Sequence, residues 1–250
     1  MLTIEKTVLP SPEQWDIIIE GMRNPMNSWD KSDSYNTYIT DPETLETADF
    51  EFFIGDADLK LMKNLAKGGP VHAKYRRMVP VFLTVNAPLY WWKEFDTYKV
   101  GTVCNSCSTM HKIHAKEFTL DDFSHEHLFD FEDNNLPEDM AYLVDTTDCV
   151  CGEEWELWFD AGEALKTTIL ALNCYRKKYL ETKDKNFWWQ MIQLLPTSYN
   201  QKRTIMLNYE VLVNIYHSRK NHKLDEWHIF CNWIENLPYS GLITGGDLDV

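Results

Sequence analysis

Asn208, Leu212, Ile215 and Arg219 are the residues whose types and spacing first indicate chemistry. They recur at intervals of four, three and four residues, which places them on one face of a helix. An amide and a guanidinium at the two ends of an apolar stripe are costly to bury without partners. The stripe therefore predicts either a polar ligand at its ends or an ion pair between Arg219 and a neighbouring carboxylate.

A basic segment lies earlier in the chain, directly after Gly68 and Gly69. Between His72 and Arg77 it brings together one histidine, one lysine and two arginines. Because the planar fork of arginine matches the oxygens of a phosphate, Arg76 and its neighbour are candidates for binding an anion. A solvated basic turn is the alternative interpretation.

Zinc is a third chemistry to consider. The order Cys-x2-Cys-x3-His-x2-His occurs at Cys104, Cys107, His111 and His114. The two halves are too close for easy tetrahedral closure, because zinc fingers usually separate them by about a dozen residues. Cys149 and Cys151 offer a second pair, so a structural zinc stays an alternative, while the expected site contains no metal. The acidic loop at His125–His127 predicts solvated side chains.

The elements that position these residues follow from periodicity and end signals. We predict helices over 12–23, 56–67, from Ala87-Pro88 onward, and over 153–180, 187–195, 208–219 and 224–234. Strands are predicted at 50–54, 78–85 and 204–207. Long irregular insertions are predicted near 24–49 and 115–152, and the tail from Gly241 is expected to fray. The simplest account is one α+β domain over residues 1–250.

Charge and hydropathy exclude several classes of protein. The formal net charge of −15 argues against a surface for polymeric nucleic acid or an anionic membrane, since phosphate binding depends on summed Lys and Arg charge. No apolar run reaches the roughly 18 residues of a membrane span, and the N-terminus lacks an export pattern. We therefore expect a cytoplasmic protein with reduced cysteines.

The order of these motifs resembles the flavin-dependent thymidylate synthase family. That family reads Gly-His-Glu, a β-run, Ala-Pro-x5-Gln-x2-Arg-His-Arg-x7-Ser-x-Arg, and later Leu-Pro-x11-Asn-x10-Arg. The matching positions here are His72, Ala87-Pro88, Glu94 in place of Gln, Leu195-Pro196, Asn208 and Arg219. The last three recur at the family's spacing without gaps. The similarity covers about residues 65 to 235.

Several family positions hold different residues. The Arg-His-Arg signature is Thr97-Tyr98-Lys99 here, and the downstream Ser is matched by Cys107, or by Ser108 with one inserted residue. The family's substrate Arg, four residues before the later Pro, is Ile192. A carboxylate at Glu94 repels a phosphate that Gln can bind, so the resemblance implies that Arg76, Arg77 or Lys99 compensates.

The resemblance implies a fold, an activity and cofactors. The implied fold is α+β, with a central, mostly antiparallel sheet packed with long helices. The implied activity is reductive methylation of a pyrimidine deoxynucleotide, dUMP or an analogue, in nucleotide biosynthesis. FAD would lie between the subunits of a homotetramer, NADPH would reduce it, and methylenetetrahydrofolate would supply the carbon. The alternative is a catalytically silent relative that binds a nucleotide or another partner.

Roles for individual residues also come from the resemblance. Flavin contacts are implied at His72, Tyr98, Lys99, Asn208 and Asn214. Substrate contacts are implied at Arg76, Arg77, Glu94, Ser106 and Ser108. Arg219 resembles the arginine that lies on the pyrimidine and draws electron density from it, a role suited to a fixed cation opposing developing negative charge.

Overall fold

The computed structural model describes residues 1–40, 47–129, 142–145, 156–159 and 161–245. Its strands are β1 (Thr3–Val8), β2 (Tyr35–Thr40), β3 (Thr47–Phe53), β4 (Pro80–Pro88), β5 (Val103–Ser106), β6 (Tyr142–Asp145), β7 (Glu156–Phe159) and β8 (Asn200–Asn208). Its α-helices are α1 (Pro12–Arg23), α2 (Asp56–Lys67), α3 (Leu89–Phe95), α4 (Ala161–Thr182), α5 (Lys185–Leu194), α6 (Tyr209–Arg219), α7 (Asp225–Glu235) and α8 (Gly241–Thr244). The α+β class predicted from the sequence is confirmed.

Two compact units account for these elements. One comprises Met1, Ala87–Lys93 and Cys107–Gln201, and the other comprises Leu2–Asn86, Glu94–Ser106 and Lys202–Val250. The single domain over 1–250 stays a prediction. None of the helices in the described part of the chain is long and apolar enough to span a membrane.

The main sheet has the strand order β1-β4-β8-β5. β1 pairs antiparallel with β4, and β5 pairs antiparallel with β8. In β4 the branched residues Val81, Leu83 and Val85 are almost fully buried, whereas Phe82 between them is 46% exposed. This alternation is the period of a strand with one buried face, and it confirms the strand predicted at 78–85.

Helix α1 begins with the signals predicted for it. The Ser11 hydroxyl accepts a hydrogen bond from the Gln14 backbone N–H at 3.3 Å, and the Gln14 side chain accepts one from the Ser11 N–H at 2.9 Å. This capping box, with Pro12 at the first helical position, satisfies backbone donors that a helix start leaves free. The predicted helices at 12–23 and 56–67 are confirmed as α1 and α2.

A buried ion pair joins α1 to α2. Arg23 and Asp58 are 4% and 0% exposed, and the Arg23 Nε–H donates to the Asp58 carboxylate. Burial alone raises the pKa of Asp58, but hydrogen bonds from Ser32, Ser34 and Arg23 outweigh it and hold the pKa below its ordinary value. The carboxylate is therefore stabilised in its charged form.

The unit that contains α4 and α5 has its own core. Its buried members are Ile113, Phe118, Phe123, Leu165, Leu172 and Met191. Tyr199 packs on this cluster, with its ring 5.6 Å from that of Phe123. Burial, followed by the nearby charges of Asp122 and Cys107, raises the pKa of Tyr199 to about 12.

The structure differs from several predicted elements. The tail expected to fray from Gly241 begins with α8, in which Leu242 and Ile243 are 1% exposed, and the predicted irregular insertion 115–152 contains β6. The predicted irregular segment 24–49 contains β2, which pairs with β3. The predicted helix 153–180 contains β7, which pairs with β6, and α4 begins only at Ala161. Pro88 is the last residue of β4, and the helix predicted from Ala87-Pro88 onward begins one residue later, at Leu89. For β2 and β7, pairing with a strand outside the predicted segment decides the local conformation.

Candidate functional site

Helix α6 positions the two polar residues of the stripe. Asn208 is its N-cap, and the side-chain Oδ1 accepts a hydrogen bond from the Val211 N–H at 3.1 Å. Leu212 and Ile215 are fully buried. Arg219 closes the last turn, with 18% of its side chain exposed. The shared face predicted for these residues therefore runs along the inner side of α6.

Arg219 is held by two side chains and two aromatic faces. Its Nη1 donates to Glu94 Oε2 at 2.8 Å, and its Nε donates to the Tyr98 hydroxyl at 2.9 Å. The guanidinium carbon lies 4.8 Å from the centre of the Trp227 ring and 5.6 Å from that of Tyr98. These distances are those of cation–π contacts. The guanidinium is thus fixed in position.

Glu94 is contacted by several side chains of the site through one carboxylate oxygen. Its Oε2 accepts a second hydrogen bond, from the Trp227 Nε1–H at 2.9 Å, and His222 Nε2 lies 3.4 Å away. His222 Nδ1 accepts from the Leu224 N–H, which places the proton of a neutral imidazole on Nε2, facing Glu94. We call Glu94, Tyr98, Arg219, His222 and Trp227 the Arg219 cluster.

The cluster retains open hydrogen-bond donors. Arginine carries five N–H groups, and Arg219 uses one on Nε and one on Nη1. Within the described residues, Nη2 has no acceptor, so two N–H groups are available to a carbonyl or phosphate oxygen. A fixed cation between aromatic faces, with open donors, can bind a planar polar ring and oppose negative charge that develops on its oxygens.

Gly101 makes room beside Asn208. Its φ is +82°, and a Cβ placed there would lie 3.1 Å from Val211 Cγ2 and 3.2 Å from Asn208 Nδ2. Both the left-handed backbone and the close approach favour glycine. The Asn208 amide therefore remains close to the backbone that leads from Tyr98 to β5.

The other predicted flavin residues are on the surface. His72, Lys99 and Asn214 are exposed. The backbone N–H of His72 donates to the Gly69 carbonyl at 3.0 Å. Tyr98 and Asn208, both partly buried, are the two predicted flavin residues whose side chains lie in or beside the cluster.

The predicted substrate residues separate into different places. Glu94 is in the Arg219 cluster, whereas Arg76 lies with its Nη1 4.0 Å from Glu210 Oε2. Arg77 and Ser106 are exposed, and the Ser108 hydroxyl accepts a hydrogen bond from the His111 N–H at 2.9 Å. The structure brings Glu94, Tyr98 and Arg219 together and leaves these other residues outside the cluster.

No set of three or more metal-ligating side chains comes together in the part of the chain that the structure describes. Cys104 and Cys107 are free and exposed. Cys149 and Cys151, which the zinc alternative requires, lie outside the described residues.

Sequence reasoning missed Trp227 and His222. Trp227 falls on the inner stripe of the helix predicted at 224–234, where an aromatic residue indicates only core packing. His222 lies in a polar connection of the kind expected to be solvated. Neither residue has a local signal for contact with Arg219. The alternative of an ion pair with a carboxylate did anticipate the type of partner, but not that it is Glu94.

Comparison with known proteins adds a fold-level relationship. No family model and no curated protein matches the chain. Among solved structures, thymidylate synthase X from Helicobacter pylori with FAD and dUMP is 15% identical with a TM-score of 0.56, over 97% of this chain and 95% of that one. A second structure of that enzyme, also with FAD and dUMP, gives 15% and 0.54 over 97% and 96%. The UMP/dUMP methylase PolB from Streptomyces cacaoi, bound with 5-Br dUMP, gives 10% and 0.51 over 94% and 88%.

Proposed function

We propose that this chain, which has the fold of the flavin-dependent thymidylate synthases, binds a pyrimidine nucleotide and methylates it. The proposed reaction is flavin-dependent reductive methylation of dUMP or an analogue, with methylenetetrahydrofolate as carbon donor and NADPH as reductant. The proposed setting is a cytoplasmic homotetramer. The observation that carries the proposal is Arg219, a fixed cation with open donors at the end of α6.

The proposed role of Arg219 is electrostatic. A pyrimidine that is attacked or deprotonated at its ring carbons accumulates negative charge on its carbonyl oxygens. The Nη2 donors of Arg219 can stabilise that charge without reorganisation, because Tyr98, Trp227 and Glu94 already hold the guanidinium. Preorganised donors of this kind typically account for about 2.7 to 4 kcal/mol of transition-state stabilisation.

The residues present are compatible with a flavin. Asn208 keeps its Nδ2 donor after Oδ1 caps α6, and Gly101 leaves the space beside it free of a Cβ. His72, Lys99 and Asn214 are exposed donors, which suits a cofactor covered by a second copy of the chain. When bound, a flavin supplies hydride and carbon-transfer chemistry that protein side chains lack. The chain's own contribution is to orient the nucleotide and hold the compensating charge.

A second candidate function is nucleotide binding without catalysis. Glu94 favours it, because its carboxylate occupies an Arg219 donor and places negative charge beside the proposed nucleotide site. The family carries a neutral Gln at this position. The presence of Glu94 in place of Gln fits a relative that binds a nucleotide weakly and performs no methyl transfer as well as it fits an active enzyme.

The first experiment is the visible absorption spectrum of the purified chain, before and after addition of FAD and then of dUMP. The proposed enzyme binds FAD, its flavin bands shift on dUMP addition, and it forms dTMP when all substrates are present. Flavin binding without methyl transfer supports the silent relative. A chain that binds neither FAD nor dUMP contradicts both functions.

The role of Arg219 is tested with Arg219→Ala, with Lys220→Ala as the matched control. Lys220 is the adjacent exposed cation and lies outside the cluster. Arg219→Ala is expected to retain flavin and lose about 100-fold or more in turnover, which corresponds to the loss of the electrostatic stabilisation described above. Full turnover in Arg219→Ala, or equal losses in the two variants, refutes the assignment.

A further inference from the structure

A small cavity in the same unit as the Arg219 cluster is lined by positive charge. It is a solvent-open pocket of about 260 Å³ between α2, the 3₁₀ turn Lys74–Met78 and α8, and its lining includes Lys63, Lys67 and Arg76. The volume suits a small polar ligand rather than a dinucleotide.

The cavity is locally cationic on a strongly acidic chain. Three cations line the cavity, and the carboxylate of Glu210, which is 12% exposed, lies 4.0 Å from one of them, Arg76. Within the described residues, neither Lys63 nor Lys67 is paired with a carboxylate. On a chain with a net charge of −15, such a cluster concentrates positive potential where the rest of the surface repels anions.

Arg76 itself is incompletely satisfied. Its side chain is 11% exposed, and its Nη1 lies 4.0 Å from Glu210 Oε2, beyond hydrogen-bond distance. Both Arg76 Nε and Glu210 Oε2 are buried without a hydrogen-bond partner. Buried polar atoms in folded proteins nearly always have one. Arg76 therefore lines the cavity without a hydrogen-bonded carboxylate partner.

Helix α6 separates this cavity from the Arg219 cluster. Glu210 and Arg219 are nine residues apart on α6, which corresponds to about 13 Å along the axis and about half a turn around it. The two side chains therefore leave opposite sides of the helix. A ligand in the cavity would therefore lie apart from one held by Arg219.

We propose that this cavity binds the phosphate group of a small phosphorylated metabolite. Lys63 and Lys67 supply ammonium donors, and Arg76 supplies the planar fork that suits phosphate oxygens. The aliphatic wall at Ala66 and Leu242 packs against the uncharged body of the ligand. Both candidate ligands, free phosphate and the phosphate monoester of a compact sugar, present a phosphate dianion to these cations.

The test is calorimetric titration of the full chain with inorganic phosphate, ribose 5-phosphate and, as the uncharged control, ribose. Saturable binding with one site per chain is expected for the phosphates and not for ribose. Tighter binding of ribose 5-phosphate than of inorganic phosphate identifies a monoester site, and the reverse identifies a site for free phosphate. Absence of saturable phosphate binding overturns the proposal.

Two matched double variants locate the site. K63Q/K67Q removes two charges from the cavity, whereas K60Q/K74Q removes two exposed charges from α2 and the 3₁₀ turn that lie outside its lining. Loss of charge-assisted hydrogen bonds is expected to weaken phosphate binding by at least about tenfold in K63Q/K67Q, with less than about twofold change in K60Q/K74Q. Equal losses in both variants overturn the proposal.

Arg219→Ala tests whether phosphate binding depends on the Arg219 cluster. It is expected to leave phosphate binding in the cavity unchanged, so this result stands even if the proposed enzyme function fails.

A second control tests whether the chain's own carboxylates occupy the cavity. Asp247 and Asp249 follow Gly245 in the sequence. Binding by D247N/D249N but not by the native chain overturns the small-ligand proposal and indicates that the chain's own carboxylates occupy the cavity.

Discussion

Replacing Glu94 with Gln tests the central interaction of the Arg219 cluster. Glu94 Oε2 accepts from Arg219 Nη1 at 2.8 Å and from Trp227 Nε1 at 2.9 Å. Gln keeps a carbonyl oxygen for both donors but removes the charge. Charge-assisted hydrogen bonds contribute about 1.5 to 3 kcal/mol, and neutral ones about 0.5 to 1.5. Because Glu94 is 33% exposed, solvent screening reduces the difference. We expect the free energy of unfolding to fall by about 1 to 2 kcal/mol.

The same change is expected to strengthen nucleotide binding. For an assumed separation of roughly 6 Å, repulsion between one unit charge on a phosphate and the Glu94 carboxylate is about 0.7 kcal/mol in water and about 2.8 kcal/mol at an effective dielectric of 20. Removal of the charge therefore corresponds to about 3-fold to 100-fold tighter binding of dUMP. The gain in affinity opposes the loss in stability, which distinguishes a ligand site from a purely structural ion pair.

The measurements are urea denaturation and calorimetric titration with dUMP, with Asp96→Asn as the matched control. Asp96 lies two residues further along and accepts from Arg203 at 2.8 Å, so Asp96→Asn also neutralises an arginine partner, but outside the cluster. It is expected to leave dUMP affinity unchanged. If Glu94→Gln binds dUMP no more tightly than the native chain, or if Asp96→Asn gains equally, Glu94 does not compete with the nucleotide.

Three further predictions concern stability. Asp58→Asn should cost about 3 to 5 kcal/mol of unfolding free energy by urea denaturation, since it leaves the buried Arg23 charge unpaired; a loss below about 1 kcal/mol contradicts this. The pKa of Asp58 is lower in the folded chain than in the unfolded chain. Its carboxylate therefore stabilises the fold fully at pH values above the unfolded pKa, near 3.8. This stabilisation is lost as the pH falls through the folded pKa. Native stability should therefore fall more steeply below about pH 4 than that of Asp58→Asn, and parallel pH profiles refute this linkage. Gly101→Ala should lower the melting temperature more than Gly69→Ala, because both have positive φ but only the first Cβ meets neighbours within 4 Å; equal shifts exclude the steric cause.

Local signals were sufficient for the elements that end in caps. Ser11, Pro12 and Gln14 specify the start of α1 through contacts three residues apart, and the apolar period specifies its buried face. The helix predicted at 224–234 is confirmed as Asp225–Glu235. Interactions over one or two turns decide these elements, so the sequence of a short window contains the physical cause.

Strand pairing, unlike the capped helices, could not be predicted from local sequence signals. The segment Glu156–Phe159 fits a helical period in sequence, but its backbone pairs with Tyr142–Asp145. Likewise, Tyr35–Thr40 looks irregular until Thr47–Phe53 provides its ladder partner. A strand is stabilised by a partner outside its own window, so its propensity depends on context.

The sequence by itself determined that Asn208 and Arg219 share one face of a helix and that both need polar partners. Only the tertiary structure decided which partners they have. Glu94 lies 125 residues before Arg219, and Trp227 approaches from the following helix. Helical spacing follows from local backbone geometry, whereas a contact between distant residues exists only once the chain has folded and buried the apolar faces that carry them.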